Sequence, residues 1–163
     1  MTDQNGKAVK LSDYAGKTVV LEWFNDGCPY VKKHYSTGSM NATATKYAEK
    51  GVVWLAINST NSADVSHNAE VDKKWKMSRP ILDDHAGKVG KLYGATNTPQ
   101  MFVVDGTGKV VYSGAIDSTN SADSNDIAAS TNYVAAALDE TIAGKAVTKA
   151  ETKPYGCTVK YAK

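Results

Sequence analysis

Two side chains in this sequence can act as sulfur nucleophiles, Cys28 and Cys157, and they lie far apart along the chain. Cys28 sits in Asn25-Asp26-Gly27-Cys28-Pro29-Tyr30-Val31-Lys32-Lys33. Sulfur reacts as the thiolate, and an ordinary cysteine is mostly protonated at neutral pH. A polar turn, then cysteine, then proline is the pattern of a cysteine at the start of a helix. Pro29 there loses nothing by lacking an N–H. The unpaired N–H groups and partial positive charge of a helix start favour the anion. Lys32, one turn on, adds a cation on the same face. His34 is six residues on; at about 100° per residue it points away from Cys28 and is not read as its base. The alternative is an inert buried thiol packing as a small hydrophobe. Position and the following proline favour the reactive reading.

A dithiol helix start would carry its second sulfur at position 31, which is valine. The remaining sulfur, Cys157, lies in Pro154-Tyr155-Gly156-Cys157-Thr158-Val159-Lys160, a turn followed by a short extended piece. A tail of this kind, residues 146–163, can fold across the end of a sheet. Cys157 would then resolve a mixed disulfide or a sulfenic acid formed on Cys28. A permanent bridge pinning the tail is the second reading, which closing so long a loop would make worth roughly 4–5 kcal/mol. Two unrelated thiols come third. Two cysteines make no disulfide framework, and no Cys or His spacing suits zinc, so neither a metal nor an organic cofactor is implied. His34, His67 and His85 show no convergence that would support a copper site.

The elements that must position these sulfurs can be read from apolar patterning. Thr18-Val-Val-Leu-Glu-Trp-Phe-Asn25 is a continuous apolar run, the signature of a central strand buried on both faces. A helix starting near Cys28 carries Val31, Tyr35 and Met40 and continues to Gly51. Residues 52–59 form a second buried strand, and 69–77 a short lysine-rich helix. Pro80-Ile-Leu-Asp-Asp84 is a short strand or turn, and 87–94 a helical turn. Residues 101–117 form an antiparallel hairpin around Asp105-Gly106-Thr107-Gly108. Residues 130–145 read as a helix with a Ser/Thr cap, an apolar side of Val134, Ala137, Leu138 and Ile142, and Gly144 at its end. The string Ser-Thr-Asn-Ser-Ala-Asp occurs at 59–64 and again at 118–123, and reads as low-complexity loop composition. Asp117, Asp123 and Asp126 lack a calcium-loop pattern and read as a solvated loop. Parallel crossovers followed by an antiparallel hairpin imply one α/β domain, residues 1–163, built on a mixed sheet.

Four segments in this order, VVLEWFNDGCPYVKKHY, GVVWLAINS, NTPQMFVVD and KPYGCTVKY, give the chain a family likeness. It resembles the redoxins of the thioredoxin superfamily, and more narrowly bacterial proteins of AhpC/TSA type with a Cys-Pro-aromatic-Val-Lys helix start and a Gly-Cys near the C-terminus. The likeness runs from the TDQNGKAVKLSDYAGK hairpin to the tail. It implies a thioredoxin-like fold, with a central mixed sheet flanked by helices, and Cys28 as the reactive thiol. It places Thr98-Pro99 at the superfamily's cis-proline, where the Thr98 backbone would be an open edge for a substrate chain beside Pro29 and Lys32. It also places Glu22 where thioredoxins carry a buried carboxylate that moves protons. In a buried strand that carboxylate needs a proton or a partner, the alternative partner being a lysine at the sheet edge. Trp23 and Tyr30 read as core and rim aromatics. The pattern departs from the family at three points. Val31 breaks the CxxC pair. Leu21 and Asn25 replace the proline and threonine of the peroxiredoxin motif, and Arg79 has no convincing match to the peroxiredoxin arginine.

The resemblance therefore implies a thiol-disulfide oxidoreductase acting on protein thiols and disulfides or weakly on small peroxides, recharged by an external thiol reductant. The competing expectation is a non-catalytic binding module with a structural Cys28–Cys157 disulfide. A formal charge of +2 is too small a basic excess to imply nucleic acid as a partner. No apolar run approaches the roughly 20 residues of a membrane helix, so no membrane insertion is expected. No signal-peptide pattern is present, and the start inside a hairpin reads as that of a trimmed chain. Abundant Ser, Thr, Asn and Ala favour a periplasmic or secreted setting over the cytoplasm.

Overall fold

The computed structural model describes residues 1–163. Its centre is a five-stranded sheet of order β3-β2-β1-β5-β6. β1 (Val19–Trp23) pairs in parallel with β2 (Val53–Asn58), which pairs in parallel with β3 (Ile81–Asp83). On its other side β1 runs antiparallel to β5 (Gln100–Val104), which continues into β6 (Val110–Gly114). The reading of β1 as doubly buried holds at every residue. Val20 and Phe24 enter a core under the helices, whereas Val19, Leu21 and Trp23 enter a second core with Phe102 and Tyr93 on the opposite face. Two-residue alternation puts Glu22 on the Val20–Phe24 side.

Five helices flank the sheet: α1 (Pro29–Ser36), α2 (Ser39–Ala48), α3 (Val65–Trp75), α4 (Lys88–Tyr93) and α5 (Tyr133–Ile142). None is long and apolar enough to cross a membrane. The expected single helix from Cys28 to Gly51 is in fact two. Gly38 adopts φ +75, a left-handed conformation that glycine alone takes without strain, and the helix restarts at Ser39. α3 begins four residues before its expected start, because the Asp64 side chain accepts the His67 N–H at 2.9 Å. Asp123 does the same for a 3-10 helix at Ser124–Ala129, accepting the Asn125 N–H at 2.9 Å. Both copies of Ser-Thr-Asn-Ser-Ala-Asp therefore end in a capping aspartate, which the loop-composition reading overlooked. The cap of α5 is Asn132 rather than Ser or Thr, and Ile142 is 43% exposed instead of joining Val134, Ala137 and Leu138 in the core.

Met1–Val9 folds into a minimal hairpin, with Thr2 opposite Ala8. The tail crosses the molecule at its other end. There β7 (Cys157–Thr158) pairs antiparallel with β4 (Asn97–Thr98), directly before a cis Thr98–Pro99 peptide bond.

Candidate active site

Cys28 is the N-cap of α1, and Pro29 occupies the first helical position as expected. The Cys28 carbonyl accepts the N–H groups of Val31 and Lys32, at 3.1 and 2.9 Å. Its side chain is only 3% exposed. As a thiol, Cys28 donates to the Thr98 carbonyl at 3.2 Å. Burial pushes the Cys28 thiol up. Hydrogen bonds from the side chains of Cys157 and Thr98, and from the N–H groups of Val31 and Cys157, outweigh it and leave Cys28 below its ordinary value. The Thr98 hydroxyl, buried beside that sulfur, has no other partner.

Cys157 is the counterpart. The ladder places Thr98 opposite Cys157 and Asn97 opposite Thr158. Both cysteines are free thiols, and Cys157 is the more exposed of the two. Its thiol is pushed up to about 11 by burial, then by donating to the Cys28 sulfur and facing its charge, with Lys160 opposing. One sulfur is thus held toward the anion and the other toward the thiol. The fold brings Cys28 and Cys157 together across more than a hundred residues of chain.

Other expectations need correction. Lys32 is solvent-exposed and is not among the groups that favour the thiolate. The Thr98 edge is not open, because the protein's own tail fills it and leaves Thr98 2% exposed. Glu22 has partners, but none is a lysine. Its oxygens accept from Tyr35 Oη at 2.6 Å, Trp54 Nε1 at 2.7 Å and the Arg79 guanidinium at 3.3 Å. None of these bonds reaches the Cys28 sulfur. The only arginine in the chain serves as counter-ion to this fully buried carboxylate.

Asp117 is not the solvated loop acid that the sequence implied; it is 4% exposed. It accepts the Tyr155 hydroxyl at 2.5 Å and the Thr119 N–H at 3.1 Å, and faces His34 Nε2 at 3.7 Å. His34, 3% exposed, also has Ser39 Oγ within 3.1 Å of Nδ1. Burial holds its imidazolium down to about 4, against the pull of Asp117 and with the help of Lys33. Lys33 Nζ lies 5.5 Å from the centre of the Tyr155 ring, and Tyr30 packs on that ring at 5.9 Å. Asp117, Lys33 and Tyr155 therefore join the tail to the active-site helix. Sequence reasoning missed all three, and the one available signal was an aromatic two residues before Cys157. No group of three or more His, Cys, Asp or Glu side chains is placed to hold a metal ion.

Over 111 residues the chain is 32% identical to the thiol-disulfide oxidoreductase ResA of Bacillus thuringiensis, a match covering 68% of this chain and 62% of that protein. The chain thus spans about 62% of the length of the curated relatives that it matches in this way. An uncharacterized conserved protein from Geobacillus kaustophilus superposes with TM-score 0.82 at 27% identity, covering 99% of this chain and 87% of that one. A putative thioredoxin from Neisseria meningitidis superposes with TM-score 0.60 at 19% identity, over 69% of this chain and 73% of that one, a likeness of fold alone. The fold is thioredoxin-like. The AhpC/TSA family model matches residues 1–113, which hold the sheet and the Cys28 helix start. On that match, the chain belongs to the AhpC/TSA family.

Proposed function

We propose that the protein is a two-cysteine thiol-disulfide oxidoreductase, with Cys28 as nucleophile and Cys157 as resolving thiol. The observation that carries this reading is the meeting of two free thiols at the cis-proline ladder: Cys157 lies opposite Thr98, whose carbonyl takes the Cys28 thiol at 3.2 Å. The Cys28 thiolate attacks one sulfur of a substrate disulfide. The substrate's S–S bond breaks, its other sulfur leaves as a thiolate, and a mixed disulfide remains on Cys28. That step removes the negative charge beside Cys157. Two of the influences holding Cys157 protonated, the bond to the Cys28 anion and its charge, vanish. Cys157 then gives up its proton and attacks the Cys28 sulfur. The second substrate thiolate leaves, and the Cys28–Cys157 disulfide closes. One substrate disulfide has become two thiols and the protein dithiol one disulfide; an external thiol reductant returns the protein to its starting state. Run backwards, the same steps oxidise a substrate dithiol.

The substrates that fit are protein thiols and disulfides, and the chemistry suits an oxidising, extracytoplasmic setting. Peroxide reduction is at most a side reaction. Leu21 lies in the opposite core, and Asn25 spends its amide on Thr60 Oγ1 at 3.0 Å and its carbonyl on the Gly27 N–H at 2.7 Å. Neither offers a peroxide the polar groups of the peroxiredoxin motif. The deciding experiment is steady-state reduction of a protein disulfide by wild type, Cys28→Ser and Cys157→Ser. Cys28→Ser should abolish turnover, and Cys157→Ser should trap substrate on Cys28 as a mixed disulfide. Turnover surviving Cys28→Ser would overturn Cys28 as the nucleophile, and no turnover by the wild type would instead support the binding-module reading.

A further inference from the structure

The reactive sulfur already has a peptide strand docked against it, and that strand is the protein's own tail. Its contacts can be read as those of a bound substrate. Cys157 lies opposite Thr98 in the ladder, and the Val159 N–H donates to the Thr96 carbonyl at 3.0 Å. The Gly156 carbonyl accepts from Asn97 Nδ2 at 3.3 Å. Two residues before the sulfur, the Tyr155 ring packs on Tyr30 and beneath Lys33, and its hydroxyl donates to the buried Asp117.

The position between them admits only glycine. Gly156 has φ +101, and a Cβ there would lie 2.2 Å from the Thr98 carbonyl oxygen and 3.3 Å from Pro99 Cδ. The Thr98 oxygen belongs to the backbone, so it cannot swing aside as the far end of a flexible side chain would. Any chain that exchanges a disulfide with Cys28 must bring its sulfur to where Cys157 now sits. The same edge, the same carbonyl and the same aromatic slot then confront it.

We propose that the tail is a resident substrate strand, and that the groove beneath it takes from other proteins an extended segment with an aromatic residue two positions, and a glycine one position, before the reacting cysteine. The tail selects in a second way: a protein chain enters only when residues 155–159 have left β4. This inference rests on Cys28 being the nucleophile, and the two can be tested separately.

The probe is a capped peptide, Lys-Pro-Tyr-Gly-Cys-Thr-Val-Lys, whose cysteine carries thionitrobenzoate as a mixed disulfide. The Cys28 thiolate attacks the peptide sulfur, that S–S bond breaks, and coloured thionitrobenzoate leaves as a thiolate. The full-length protein is used as Cys157→Ser, with the tail either intact or loosened by Tyr155→Ala. Gly156→Ala serves as a second loosening change should the first fold poorly. The thionitrobenzoate mixed disulfide of mercaptoethanol, too small to need the groove, reports the thiolate alone.

With the tail loosened, the peptide should react about tenfold or more faster than with the tail intact. It should also outpace, by about tenfold, versions with alanine in place of its glycine or its tyrosine. Equal rates for the glycine and alanine peptides, with the small probe still reacting, would overturn the groove assignment and leave the nucleophile reading intact. An inert small probe would overturn both.

Discussion

Glu22 and Arg79 allow the sharpest test of what the buried carboxylate does. Glu22 is fully buried, and Arg79 Nη2 approaches its Oε2 at 3.3 Å. At an effective dielectric of about 20 that separation corresponds to an attraction of roughly 5 kcal/mol before desolvation is subtracted. Arg79 also donates to Asn41 Oδ1 at 2.8 Å and to the Met77 carbonyl at 3.0 Å, so its charge is held from several sides. Arg79→Met removes the cation and strands an anion beside two neutral donors. Breaking a buried pair in this way typically costs about 3–5 kcal/mol. Glu22→Met should cost a similar amount, because the guanidinium, Trp54 Nε1 and the Tyr35 hydroxyl all lose their acceptor. The double variant should fall well short of the sum, with a coupling of about 2 kcal/mol or more, as neither charge is then left alone. Urea unfolding of the four proteins, followed by tryptophan fluorescence, gives the cycle. The Cys28 alkylation rate measured on the same samples asks whether Glu22 also acts on the thiol; as none of its bonds reaches that sulfur, folded variants should alkylate within about threefold of wild type. Additivity within about 0.5 kcal/mol would refute the ion-pair account. A large change in alkylation of a folded Glu22 variant would restore the proton-transfer role suggested by the thioredoxin resemblance.

Gly156→Ala forces an L residue into a left-handed conformation, costing about 1–3 kcal/mol before its clash with Thr98. Closure of the Cys28–Cys157 bond after addition of diamide, timed by acid quench and mass spectrometry, should slow by about tenfold or more; an unchanged rate would show that the tail does not need this geometry. His34 should make the fold acid-sensitive. Its folded value of about 4 lies below the ordinary 6.5, so the unfolded chain binds the proton first as pH falls. Stability is full above about 6.5 and drains by about 1.4 kcal/mol per pH unit toward 4, roughly 3 kcal/mol in all. A urea midpoint that is flat over this window, or equally steep in His34→Gln, would contradict this. Tyr155→Phe keeps the ring but loses the bond to Asp117, and should raise hydrogen exchange across 155–159 while leaving β1 and β2 protected; unchanged exchange would show that the hydroxyl does not hold the tail.

What could be read from the chain, and what could not, follows from the range of the forces involved. β1, β2 and the 101–117 hairpin announce themselves through local patterning, because a strand buried on both faces has no room for polar residues and a tight turn needs its glycines. Cys28 was legible for the same reason: the proline, the turn and the helix start are neighbours in sequence. Cys157 could be paired with it by elimination among two sulfurs and through the family likeness, without any view of the ladder that joins them. The groups around the pair were not legible. Asp117 resembles any loop aspartate until Tyr155 and His34 close over it, and helical spacing points to Lys32, whereas the buried lysine is Lys33. Arg79 reaches Glu22 only because β3 lies beside β2. The break at Gly38 escaped notice because the residues on either side of it suit a helix.

The central claim is that Cys28 and Cys157 form a working redox couple. It is tested most directly by equilibrating the full-length protein in dithiothreitol buffers of graded potential and mapping the disulfide by mass spectrometry. A Cys28–Cys157 bond that forms reversibly with a potential above about −300 mV is the predicted result. A bond well below that value would be a staple, and the absence of any bond between these two sulfurs would contradict the account outright.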